Sequence, residues 1–458
     1  MSRTLLEQLV TRLAATVGAG FPSAVRDRAA LCVLDSVACA IGGQDLPSTR
    51  AAQRAAARID GAGPVPLWGT ALTTSLTGAV FANAVAAHGL IHEDMHPASR
   101  VHAGTVVIPA ALAVAGELDT PVERLLDAVV LGYEAIGQLG DVFDQPAFVR
   151  GTLRPSGVLG PFGAAVAVGH LLDLPPDQLV AALAIASSAS GGATEWARAG
   201  TSDVFAQNAL AARGGVQAAF LAAEGLTGPR TAIEGPAGML AALRLEAGEL
   251  PTPAPTSLAI DAAYFKRFPA CAFTQETVLA GQRLRESVDP ASIRALRIES
   301  YDMAAYYPGC DNADSLDDPI SRQMSNQFNL AATLVDGAPS PSRLLGPLPA
   351  EIRRLAQVTS VRSVPELAAQ YPARPASRVV ATLDDGSVHS AEASGVGLSA
   401  DEVVEKYRRY SHGRLTTAQA ERFRSILFEE RGRSSRDLVA PLQSAAEVSL
   451  TPPEETRA

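Results

Sequence analysis

The chain has 458 residues, of which 47% are hydrophobic and 19% charged, and its formal net charge is −10. That length exceeds one ordinary core, so two domains are expected, and the acidic balance argues against nucleic acid or an anionic membrane as partner. Aromatics are only 5%, and alanine is very common, which favours close-packed helices over a large β-sandwich.

The predicted elements follow in chain order. In the first twenty residues Leu5, Leu6, Leu9, Leu13 and Val17 recur at helical spacing, which marks an amphipathic helix rather than a secretory signal. A helical apolar stripe over 26–41 meets a stop at Gly42-Gly43. Ala-rich helices are expected over 76–90, 106–117 and 122–139. The turn Gly160-Pro-Phe-Gly163 is read as opening a helix through 172, and the Pro-Pro pair at 175–176 as starting another that runs to 186. Residues 187–201 are small and Gly-rich, hence a loop, and 206–224 return to helix. The uncharged stretches 61–92 and 155–172 are broken by prolines, polar residues or glycines, so buried helices are expected there rather than membrane spans.

The pattern changes near residue 250. Leu250-Pro-Thr-Pro-Ala-Pro255 reads as a linker. Residues 293–300 alternate imperfectly, and 378–384 with 387–393 flank an Asp385-Gly386 turn, a hairpin signal. Helices are expected again over 401–410 and 416–428, with a frayed tail over 451–458. The predicted fold is mainly α: an all-helical domain from 1–255 and 396–458, and a smaller α+β domain over 262–395. Cys32, Cys39, Cys271 and Cys310 show no regular spacing and read as reduced thiols of a cytoplasmic protein.

Residues 88–102 hold four of the seven histidines beside two adjacent carboxylates. Ionisable groups packed between apolar segments mark a site. His92-Glu93-Asp94-Met95-His96 matches the HExxH signature of zinc hydrolases, with His102 where a third ligand would stand. On a helix both imidazoles would share a face; Pro97 ends any such helix at once. A zinc-dependent hydrolase using His92, His96, His102 and Glu93 is therefore the rival to a metal-free acid/base site.

Several separated segments carry a resemblance: Leu34-Asp35-Ser36, His88 to Ala115, Gly157 to Ala165, Thr227-Gly-Pro229 with Glu234-Gly235, and Phe265-Lys-Arg-Phe-Pro269 with Thr274. In this order and spacing the sequence resembles the MmgE/PrpD family, which includes 2-methylcitrate dehydratase, cis-aconitate decarboxylase and iminodisuccinate epimerase. The resemblance implies an active site in a cleft between the two domains, a homodimer, no metal and no cofactor. It implies a lyase that moves a proton next to a carboxylate on a small molecule, by dehydration or decarboxylation, with isomerisation or epimerisation as the alternative. His102 carries over as the acid/base, Lys266 as the second catalytic group, and Asp94 as the residue that orients the imidazole. Glu93, His96, Arg154, Gln207, Thr274 and Gln275 are the expected substrate contacts, with Lys266 or Arg154 holding the anion.

The chain departs from the family pattern at several of these places. Ile91 and Met95 replace an aspartate and a threonine of the acidic turn, Arg154 stands at a histidine position, and Val204 to Gln207 replaces a Lys-x-x-His segment. Gln275 replaces a histidine and Phe328 a tyrosine. A less polar pocket and a substrate with fewer carboxylates are the expectations that follow.

Overall fold

The computed structural model describes residues 3–149, 151–250, 257–395 and 397–444. The expected linker over 251–255 and the tail over 451–458 lie outside the described residues. The N-terminal helix Leu5–Ala19 is opened by a capping box between Thr4 and Glu7. Ser23–Gly42, Pro47–Ile59, Leu76–Gly89, Gly104–Leu118 and Val122–Phe143 follow. Pro155–Leu171, Pro176–Ala186 and Asp203–Ala223 complete the main body of this layer. Their alanines and glycines let the axes come close. A Cβ on Gly163 would lie 2.5 Å from Ile136 Cδ1 and 2.9 Å from the Gly132 carbonyl, so contact between the helices Val122–Phe143 and Pro155–Leu171 requires glycine.

That packing corrects one expectation. Gly160-Pro-Phe-Gly163 lies inside a helix instead of opening it. The helix begins at Pro155, with Arg154 in an extended N-cap conformation, the first-turn position where a missing N–H costs nothing. The expected loop over 187–201 contains a 3-10 turn at Ser187–Ala189 and a short helix at Trp196–Ala199. The helix Pro47–Ile59 had no counterpart in the sequence reading.

The smaller domain is a four-stranded sheet covered by helices. Thr359–Ser363 runs parallel to Ile293–Ser300, which pairs antiparallel with Ala376–Leu383, which in turn pairs with Val388–Ser394. Gly386 takes the left-handed conformation (φ 85°) that the hairpin turn needs. The helices Gln275–Arg285, Asn326–Asp336 and Ala350–Gln357 pack on this sheet or on each other, around a core that includes Leu284, Ile298, Leu330, Leu355 and Val379. The chain then returns: Ala400–Ser411 packs against Ser23–Gly42, and Tyr407, Phe423 and Leu438 join the larger helical core. No single helix among the described residues is long and apolar enough to cross a membrane.

Candidate active site

The helix Leu76–Gly89 is capped at its start by Ser75 and delivers His88 in its last turn. Ile91 then adopts φ 48°, a left-handed conformation that is costly for a β-branched residue and turns the chain sharply. Two buried lysines hold the resulting loop. Lys266 Nζ donates to the Ile91 carbonyl at 2.5 Å, and Lys406 Nζ to the His92 carbonyl at 2.5 Å and to Asp35 Oδ1 at 2.7 Å. Met95 and Tyr264 exchange backbone hydrogen bonds at 3.0 Å. The HExxH stretch is therefore not helical. His92 Nδ1 contacts the Tyr410 hydroxyl at 2.7 Å and His96 Nδ1 the Ser99 hydroxyl at 2.8 Å, so the pair does not form the shared helical face that the zinc reading requires.

What converges instead is centred on Glu93. Its Oε1 accepts from His88 Nδ1 at 2.7 Å and from His102 Nδ1 at 2.6 Å, with Lys266 Nζ at 3.7 Å. Burial pushes the Glu93 carboxyl upward, but Lys266, His88 and the two imidazole hydrogen bonds outweigh it and hold it well below the usual range. Arg154 Nη2 donates to His88 Nε2 at 2.6 Å. Guanidinium nitrogens only donate, so His88 Nε2 is the acceptor and its Nδ1 carries the proton given to Glu93. His102 likewise directs Nδ1–H at Glu93. Its Nε2 is left with a lone pair and no hydrogen-bond partner among the described residues, in a ring that lines a pocket. Burial, and then Lys266, hold the His102 imidazole well below its ordinary pKa, so it rests neutral. This carboxylate–imidazole pair fixes the tautomer of a base.

Asp94 does not orient that imidazole. Its Oδ2 accepts from the Tyr133 hydroxyl at 2.8 Å and its Oδ1 from the Gly104 amide at 3.1 Å. Burial, and then Asp35, push its carboxyl up to about 7. Lys266 lies fully buried beneath Glu93 rather than on the pocket wall, so it positions the carboxylate and does not face an anion. Arg154 reaches the pocket, but its Nη groups are taken by His88, the Val204 carbonyl at 2.9 Å and Asn208 Oδ1 at 2.6 Å. Gln275 uses its amide inside its own loop, accepting from Phe268 N and donating to Phe268 and Ala270 carbonyls, all at 3.1 Å. Thr274 caps its turn on the Cys271 carbonyl at 2.9 Å. Gln207 turns to the Ala193 carbonyl at 2.9 Å. Thus His96, Gln207, Thr274 and Gln275 are spent on local structure and lie outside the pocket lining.

Three site residues were missed from the sequence. His88 was visible in the histidine cluster and opens the family-like segment His88 to Ala115, but neither motif assigned it a role. Arg100, two residues before His102, contacts Asp144 at 2.9 Å and lines the pocket. Trp196, in the expected loop, forms part of the wall. Ile91, Met95 and Val204 also line it. The ligand atoms of His88, Glu93 and His102 lie within 4.8 Å of one another. They already bond to each other, and the charges of Lys266 and Arg154 beside them oppose a further cation.

A helical domain and a smaller α+β domain thus make a two-domain protein in which a buried carboxylate meets two imidazoles beside a pocket. The chain matches the MmgE/PrpD N-terminal domain over residues 7–247 and the MmgE/PrpD C-terminal domain over residues 268–427, and it belongs to the MmgE/PrpD family. It is 33% identical over 202 residues to the cis-aconitate decarboxylase of Homo sapiens. Against the cis-aconitate decarboxylase of Aspergillus terreus the identity is 26% over 219 residues, and against a cis-aconitate decarboxylase-like protein of Aspergillus oryzae 28% over 214. These stretches cover 42–46% of this chain and 41–44% of the relatives, less than half the length of each.

Proposed function

We propose that this protein is a lyase of the dehydratase or decarboxylase type, acting by acid/base chemistry on a small carboxylate-bearing molecule. The observation that carries this reading is the Glu93–His102 pair, with the imidazole at 2.6 Å from the carboxylate through Nδ1 and with Nε2 free of a hydrogen-bond partner among the described residues, in a ring that lines the pocket. A neutral imidazole in this setting takes a proton from the carbon next to a carboxylate, and Glu93 stabilises the imidazolium that forms. Arg154, which lines the pocket, supplies fixed positive charge near the anion that develops, while Lys266 holds Glu93 ionised. Family membership and the decarboxylase relatives support the lyase assignment. A homodimer in the cytoplasm, using no cofactor, belongs to the same reading.

The test is a screen of small carboxylic acids in D2O, followed by NMR for deuterium at the carbon next to the carboxylate and for elimination products. Turnover is expected for at least one acid, and His102→Gln is expected to lower it about 10²–10⁴-fold. Turnover unchanged in His102→Gln removes this mechanism.

A further inference from the structure

The pocket beside His102 has an uneven chemistry. Among the described residues, no aspartate or glutamate lines it, and two arginines do. Arg154 has its Nη groups committed to protein acceptors. Arg100 is different. It sits in a left-handed turn (φ 58°), its hydrogen-bonded partner is the half-exposed Asp144, and its Nε is buried without a partner. A buried unsatisfied guanidinium N–H is costly unless a ligand fills it, and a carboxylate is the group that matches the guanidinium fork. Most of the remaining wall is apolar, with Trp196, Phe273, Met303 and Met324 joining Ile91 and Val204. A second or third carboxylate placed against these side chains would lose its hydration without a partner, which is strongly unfavourable.

We propose that the pocket selects a monocarboxylate: one carboxylate held by Arg100 and an apolar arm lying against Trp196, Phe273 and Met303. The inference rests on the reading of His102 as the proton-transfer group for the orientation of the acid, though not for its binding. Arg100 is then a substrate-binding residue, and the apolar wall sets specificity against polycarboxylates.

Isothermal titration of the full chain with 3-phenylpropanoate and with propane-1,2,3-tricarboxylate tests this. The monocarboxylate is expected to bind at least about tenfold more tightly, a gap of about 1.4 kcal/mol. Arg100→Gln is expected to weaken its binding about tenfold or more, and Arg100→Lys to recover part of the loss. Met303→Gln narrows the gap between the two acids. Equal or tighter binding of the tricarboxylate, no measurable binding of either acid, or unchanged binding in Arg100→Gln overturns the proposal. His102→Gln separates the two readings: binding kept with turnover lost supports both, whereas turnover kept defeats the His102 mechanism while the monocarboxylate preference stands on the titration alone.

Discussion

Arg154 and His88 meet at 2.6 Å between Nη2 and Nε2, and that contact fixes which nitrogen of His88 holds the proton. Both imidazoles then present Nδ1–H to one oxygen of Glu93. Replacing Glu93 by glutamine puts an amide where two N–H donors already point. Its oxygen can accept both N–H groups, but it carries no charge to stabilise an imidazolium, and its NH2 falls at the buried Oε2 position, which has no hydrogen-bond partner among the described residues. Glu93→Gln is expected to lower kcat about 10²–10⁴-fold with a smaller effect on KM. Steady-state kinetics check it, and an intact kcat refutes the role of the pair.

On the proposed mechanism, His102 sets the acidic limb of activity. Its pKa is held well below the ordinary histidine value by burial and Lys266, so the base stays neutral as pH falls through the usual histidine range. A pH profile of kcat/KM is expected to keep its plateau below pH 6.5. A limb at or above the ordinary histidine pKa contradicts the electrostatics described above.

Asp35 and Lys406 form a buried pair at 2.7 Å, and Asp35 Oδ2 has no partner. Removing one charge strands the other. Lys406→Met is expected to cost about 3–5 kcal/mol of stability, and Asp35→Asn combined with Lys406→Met to recover much of that. Chemical denaturation of Lys406→Met, Asp35→Asn and the double variant measures it; additive losses exclude the pairing.

Glu276 is buried with Oε2 unpaired, and burial pushes its carboxyl up to about 7. The folded state therefore binds its proton more tightly than the unfolded chain, whose value is near 4.5. The stability it contributes is fully present below pH 4.5 and is lost as pH rises through 7. Glu276→Gln mimics the protonated form. Its thermal midpoint is expected to match the parent at pH 5 and exceed it at pH 8; an equal offset at both values rejects the shift.

Gly104 sits against Asp94. A Cβ there would overlap Asp94 Oδ1 and lie 3.1 Å from the Tyr133 hydroxyl. Gly104→Ala is expected to cost about 1–3 kcal/mol through this overpacking. Thermal denaturation checks it, and an unchanged midpoint shows that the Asp94 carboxyl can move aside.

The helical domain was legible because periodicity and glycine stops are local signals, and the Asp385-Gly386 hairpin because its turn chemistry is local. The parallel strand Thr359–Ser363 was not, since its pairing with Ile293–Ser300 depends on residues far along the chain. In the site, the histidine cluster stood out, but its geometry did not. The HExxH pattern counts residues on an assumed helix, and the left-handed Ile91 ends that assumption. Gln275 stands at a position where the family resemblance implied a substrate contact; its amide is consumed by the loop it closes. Lys406 lies among charged neighbours on an amphipathic helix, and its partner Asp35 is 371 positions away, so nothing nearby reveals that it is buried.

Lys266 and Lys406 rivet adjacent carbonyls of one loop from two distant segments of the polypeptide. The loop that carries the histidine cluster is thus tied down late in biosynthesis. A nascent chain emerging from the ribosome has every histidine of the cluster long before it has the second rivet, which arrives only with the helix Ala400–Ser411.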